Sequence, residues 1–227
     1  MSAVRRLPVV VLAGALAGLP GPAAAVVPRE PGEPAEPVVT AADAWVDYGR
    51  SARLRVTVSA DGGTPTGAVT ARLGDRTLGS ADLDDGSAVV AVPARALLPR
   101  ATPYPVTVTY DGDGEVAAGE DAAALKVRRG RVIVWATVTP RRPVVREGRV
   151  SAVVEVLNAD GVARAGTVRL SAKGAGVRRA PLRGGRATLR LPPFRSRGPR
   201  NVVVAYGGSA LLRPARATYR VRVVAGD

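Results

Sequence analysis

Apolar residues alternate with polar or small ones along several runs of the chain. Leu54, Val56 and Val58 keep this pattern, as do Val106, Val108 and Tyr110. It returns at Val150, Ala152, Val154 and Val156, and again where Tyr219, Val221 and Val223 alternate with Thr218, Arg220 and Arg222. A period of two gives each strand one face on a core and one in water. Turn-forming clusters separate the runs: Asp61-Gly62-Gly63, Asp84-Asp85-Gly86, Asp160-Gly161 and Gly184-Gly185. No helical period competes, so the pattern predicts an all-β protein.

The pattern also repeats. An offset of 99 positions links Gly49 with Gly148, Gly67 with Gly166, Val69 with Val168, Leu83 with Leu182, Gly86 with Gly185 and Pro93 with Pro192. After a three-residue deletion the offset is 96, linking Tyr110 with Tyr206, Gly112 with Gly208 and Val127 with Val223. Two consistent registers of this kind mark a duplicated unit. About seven short strands in some 90 residues fit an immunoglobulin-like β-sandwich. The expected fold is therefore two tandem sandwiches, over residues 39–128 and 129–227.

Residues 64–83, TPTGAVTARLGDRTLGSADL, resemble the central strands of the tandem bacterial Ig-like repeats of secreted and surface proteins. Tyr110-Asp111-Gly112-Asp113 is similar to that family's Tyr-x-Gly-Asp turn near the last hairpin. The second unit departs from it, with Ala165-Gly166 for Thr-Gly and Ser209 for the final Asp; Ala71 stands where an aromatic is common. The resemblance implies a spacer or adhesive module and no single activity.

The N-terminus changes the picture by suggesting export. Arg5 and Arg6 precede a mostly apolar stretch from Leu7 to Leu19, then Pro20-Gly21-Pro22 and Ala23-Ala24-Ala25. Residues 1–25 read as a cleaved signal peptide. The apolar stretch would span only about 20 Å as a helix, short of the roughly 30 Å membrane core. Residues 26–38, rich in proline and glutamate, read as an extended linker with no packed element. No later apolar run is long enough to span a membrane, and Val223 to Asp227 resembles no anchor, so a secreted or envelope-associated location is expected.

Charge is distributed unevenly. The net charge is +14, yet residues 40–128 hold 9 Lys and Arg against 12 Asp and Glu, while residues 129–227 hold 21 against 4. In a seven-strand sandwich, loops after odd and even strands lie at opposite ends. That parity predicts a basic tip on the second unit, built from Arg141, Arg142, Arg146, Lys173, Arg178, Arg179, Arg195, Arg197 and Arg200. It also predicts an acidic tip on the first, from Asp61, Asp84, Asp85, Asp111, Asp113, Glu115, Glu120 and Asp121. Stacked end to end, the two units would make a short rod. Its basic tip should attract anionic envelope polymers or glycans through a salt-dependent field. Opposite tips would also permit head-to-tail contact with a protein partner, although exposed charge pairs contribute only about 0–1 kcal/mol each.

Candidate chemistry narrows rather than widens the choice. The chain has no cysteine and no histidine, which removes disulfides, thiolate chemistry, cysteine–histidine zinc sites and Ser-His-Asp triads. Asp111, Asp113 and Glu115 alternate like part of a calcium loop but lack its remaining ligands, so a solvated turn is expected. Asp84 and Asp85 sit on a turn with no aromatic sugar platform, so glycoside hydrolysis is not expected. Nucleic acid is a poor target for the basic unit, because Phe194, Tyr206, Tyr219 and Trp135 are the aromatics available in residues 129–227 and the two tyrosines fall on inward positions. Trp45 and Trp135 are expected to be partly buried. Tyr110 and Tyr206 are expected in the two cores, each hydroxyl reaching a backbone partner. No cofactor or metal is implied, and a non-enzymatic role is expected.

Overall fold

Alternation sets the strands, and their pairing follows it. A computed structural model describes residues 33–159, 161–163 and 165–226; the signal-peptide reading of residues 1–25 lies outside them. The described residues contain strands and turns but no helix, so none is long and apolar enough to cross a membrane. The all-β expectation holds.

The first half contains β1 (Pro37–Ala41), β2 (Ala44–Asp47), β3 (Ala52–Ala60), β4 (Ala68–Leu73), β5 (Arg76–Asp82), β6 (Ser87–Val92), β7 (Tyr104–Tyr110) and β8 (Gly119–Arg128). They form a sheet β1-β3-β6 and a sheet β2-β8-β7-β4-β5, in which β2 pairs parallel to β8. Inward residues of both sheets, including Leu54, Val56, Val69, Val90, Val108 and Leu125, make one core.

The second half contains β9 (Val132–Thr139), β10 (Ser151–Asn158), β11 (Gly161–Val162), β12 (Thr167–Ala172), β13 (Gly176–Pro181), β14 (Arg186–Arg190), β15 (Gly198–Tyr206) and β16 (Ala215–Val223). Here β10 lies between β9 and β14, and the other sheet runs β13-β12-β15-β16. A separate core gathers Val154, Leu170, Leu191, Phe194, Val204 and Tyr206. The two cores share no residue. Each is thus a two-layer sandwich with its inward faces buried.

The repeat is visible bond by bond. Val69 faces Tyr110 across β4–β7, and Val168 faces Tyr206 across β12–β15. The Leu83 amide donates to the Gly67 carbonyl at 2.8 Å, and that of Leu182 to Gly166 at 2.9 Å. The Val58 amide donates to Gly86 and the Val156 amide to Gly185. Both hairpins before these glycines use a two-residue turn with positive φ: Asp85 and Gly86 in one, Gly184 and Gly185 in the other.

Two expectations need correction. The proline-rich stretch is not wholly an unpacked linker. Ala35 is buried, its amide donates to the Glu115 carbonyl, and its own carbonyl accepts from Ala117. Pro37 and Val38 already belong to β1, because flanking prolines hold the backbone extended while the alanine methyl fits the core edge. Trp45 and Trp135 are exposed, at 61% and 63%. Trp135 falls between buried Val134 and Ala136, so parity sends it outward.

Candidate functional site

The basic end of the second sandwich is assembled by its loops. Segments 140–150, 173–175 and 191–197 follow β9, β12 and β14, and backbone bonds tie them together. The Arg146 amide donates to the Phe194 carbonyl at 2.8 Å, and the Arg195 amide to Gly174 at 3.3 Å. The amide of Val145 donates to the Val224 carbonyl, and that of Arg222 to Arg141. Phe194, fully buried, anchors the loop after β14 in the core.

This arrangement brings Arg141, Arg142, Arg146, Lys173, Arg195 and Arg197 to one end, all exposed. Arg200 begins β15 at the same end, but its guanidinium is spent locally. It donates to the Ser196 hydroxyl at 2.7 Å and to the Ser196, Arg197 and Pro199 carbonyls. Arg178 and Arg179 are not at the tip. They lie on edge strand β13, opposite Leu170 and Arg169, and so point to opposite faces of the sheet. Among the described residues, no ion pair reaches any of these nine side chains.

The acidic end of the first sandwich is less free than its composition suggests. Asp113 is a structural clamp. One carboxylate oxygen accepts from the Thr66 amide and hydroxyl; the other accepts from the amides of Glu115 and Val116. These bonds, led by the Thr66 amide, lower the pKa of Asp113 to about 2. Asp121 likewise accepts from the Ala41 and Ala122 amides, which lowers its pKa. Asp113 thus holds the turn after β7 against the one after β3, whereas Ser209 at the matching place in the second sandwich accepts only within its own turn, from the amides of Leu211 and Leu212. No group of three or more carboxylates among the described residues is placed to hold a metal ion.

The matched tyrosines differ. Tyr206 donates its hydroxyl to the Ala165 carbonyl at 2.7 Å, as expected. Tyr110 is equally buried, but its hydroxyl has no hydrogen-bond partner. Burial, and then the charge of Asp113, raises its pKa. The Asp113 carboxylate that acts on this phenol already accepts from three backbone amides and the Thr66 hydroxyl.

Sequence reading also missed Asp47. It is nearly buried at the end of β2 and accepts from Arg213 at 2.7 Å, with Arg131 at 3.1 Å and Arg128 at 3.3 Å. Arg213 belongs to the second half, so one carboxylate joins both. No spacing rule could have found a hub whose partners lie 166 positions apart. Beside it opens a cleft of about 780 Å³ lined by Trp45, Arg50, Arg131, Ile133 and Leu157. Arg128 stacks on Trp45 at 3.4 Å. Among the described residues, Asp47 is the one carboxylate in the lining, and its oxygens are already engaged by arginines.

Residues 39–128 match the family described as bacterial Ig-like domain (group 3). The resemblance read from residues 64–83 and 110–113 therefore holds over this bacterial Ig-like domain. No curated protein matches the chain. Among solved structures, the chain is similar to the fibronectin(III)-like modules of Clostridium thermocellum CbhA, at 15% identity and TM-score 0.33, covering 83% of this chain and 94% of that one. It is also similar to the titin domains Z1Z2 in complex with telethonin, at 14% identity and TM-score 0.41, covering 85% and 96%. A third is the Yersinia pseudotuberculosis adhesin InvE, at 11% identity and TM-score 0.32, covering 82% of this chain and 58% of the adhesin.

Proposed function

We propose that the chain is an exported, non-enzymatic module that serves as a spacer or adhesive element at a bacterial cell envelope. The observation that carries this reading is the bacterial Ig-like domain over residues 39–128, followed by a second sandwich of the same construction. The signal-peptide pattern of residues 1–25 supports export, and the spent carboxylates at Asp47, Asp113 and Asp121 support a role without catalysis.

A second reading is favoured by the loop end of the second sandwich. Six exposed cations, with no bonded carboxylate among the described residues, make it a site for anionic envelope polymers or glycans, held by long-range attraction and by arginine–anion pairing. Retention of the purified protein on isolated cell-wall material, titrated with salt, separates the two. A spacer passes through at all salt concentrations. A binder is retained at low salt and released as salt rises, and neutralising Arg195, Arg197 and Arg200 shortens its retention. Retention that ignores both salt and these arginines contradicts the binding reading.

A further inference from the structure

Loop parity accounts for the tip but not for the arginines on strands. Register places these. In the sheet β13-β12-β15-β16, Arg179 faces Arg169, Arg169 faces Ala205, and Ala205 faces Arg216, so one row crosses all four strands. Arg220 and Arg222 share the parity of Arg216 along β16, opposite Asn201 and Pro199. All five arginines are exposed and on the outward side, since their strand neighbours Leu170, Val204 and Val221 are buried. Between them lie small neutral residues, Ser171, Val203 and Thr218, and no carboxylate shares the face. None of the five guanidiniums makes a hydrogen bond or ion pair among the described residues.

The first sandwich supplies an internal control. The repeat offsets and the matching registers set Arg169 against Thr70, Arg179 against Ser80, Arg216 against Glu120, Arg220 against Ala124 and Arg222 against Lys126. The corresponding sheet in the same chain thus carries neutral or acidic residues at four of these five places and a single basic residue, Lys126, at the fifth. Neither the fold nor an arginine-rich composition requires the second face to be basic.

We propose that this outward face, bearing Arg169, Arg179, Arg216, Arg220 and Arg222, is a docking surface for a linear anionic polysaccharide. The inference rests on the polyanion reading for the sign of the ligand but assigns it to a different surface. From Arg216 to Arg222 the strand runs about 20 Å, and alternate residues stand roughly 6.7 Å apart, a flat track for an extended chain. Guanidiniums pair bidentately with carboxylate or sulfate. The hydroxyls of Ser171 and Thr218 and the amide of Asn201 suit sugar hydroxyls between the charges. Single-stranded nucleic acid would need a stacking aromatic, which this face lacks, and a protein partner an apolar anchor larger than Val177, the exposed aliphatic opposite Ser171.

The test uses the full chain and polygalacturonate, with an oligothymidylate of equal charge as the competing class, by fluorescence anisotropy across a salt series. The triple variant R216Q/R220Q/R222Q is compared with R142Q/R195Q/R197Q, which removes the same charge from the loop end. The face variant is expected to weaken polygalacturonate binding at least tenfold and to flatten the log–log salt slope by about 2. The loop variant is expected to weaken it less than threefold. Single R220Q, expected to lose about threefold, serves where the triple variant lowers the melting temperature. Equal losses in both triple variants overturn the face and leave only bulk charge. A larger loss in the loop variant overturns it in favour of the tip. Tighter binding of oligothymidylate overturns the ligand class, and absence of polygalacturonate binding at low salt overturns both polyanion readings.

Discussion

Gly166 is the most constrained backbone position in the second sandwich. Its φ is +124°, and a Cβ built there would lie 2.3 Å from Cε2 of Tyr206 and 2.8 Å from its Cζ and Oη. Tyr206 has no room to swing aside, because its ring is 1% exposed and its hydroxyl is fixed to the Ala165 carbonyl. Gly166→Ala therefore meets two costs. Positive φ costs an L-residue about 1–2 kcal/mol. Overpacking against a fixed ring adds about 1–3 kcal/mol. A sum near 3 kcal/mol corresponds to roughly 12 °C or more in melting temperature for a sandwich of this size. Gly161→Ala is the control: φ is +104°, but nothing lies within 4 Å, so only the first cost of about 1–2 kcal/mol applies. Differential scanning calorimetry on the two variants reads the difference. Equal losses would refute the claim that an anchored Tyr206 closes this turn.

Three other perturbations follow from the same structure. Tyr206→Phe removes a hydrogen bond and should cost about 1 kcal/mol, whereas Tyr110→Phe removes a buried, unpartnered hydroxyl and should be neutral or slightly stabilising; urea melts showing the same loss in both would contradict the pairing. Asp113 has a folded pKa of about 2, below the 3.8 of a free carboxyl, so its clamp is intact above pH 4 and released as pH falls through 2; the Thr66 amide shift should titrate with that midpoint and stop titrating in Asp113→Asn. A Thr66 midpoint near 4 would contradict it. Asp47→Asn should cost about 1–2 kcal/mol, discounted because Arg131 is 73% exposed, and should loosen the relative orientation of the two sandwiches in residual dipolar couplings; unchanged couplings would remove Asp47 as the joint.

The fold was legible because alternation and glycine spacing are local signals that survive duplication. Gly67 and Gly166, or Gly86 and Gly185, sit at matching turns for the same backbone reason, so the offset of 99 reads directly as structure. Loop parity likewise placed Arg146 and Arg195 at one end. It failed for Arg178 and Arg179, which lie two residues inside a strand, where parity of side chains rather than of loops decides direction. The exposure of the tryptophans was illegible for a related reason: size suggests burial, but position in β9 overrides it. Asp113 and Asp121 read as free charge of an acidic tip, and Asp47 gave no signal, because partners such as Thr66, Ala41 and Arg213 are distant in sequence. The row Arg179–Arg169–Ala205–Arg216 needed the pairing of four strands, which alternation alone does not supply.

The account holds that two sandwiches of one construction differ in charge, and that only the second engages a polyanion. A two-dimensional NMR titration of the whole chain with polygalacturonate at physiological salt tests this residue by residue. Shift changes confined to residues 129–226, strongest along β12, β15 and β16, are the predicted result. Changes spread equally over both sandwiches, or absent from the second, would contradict it.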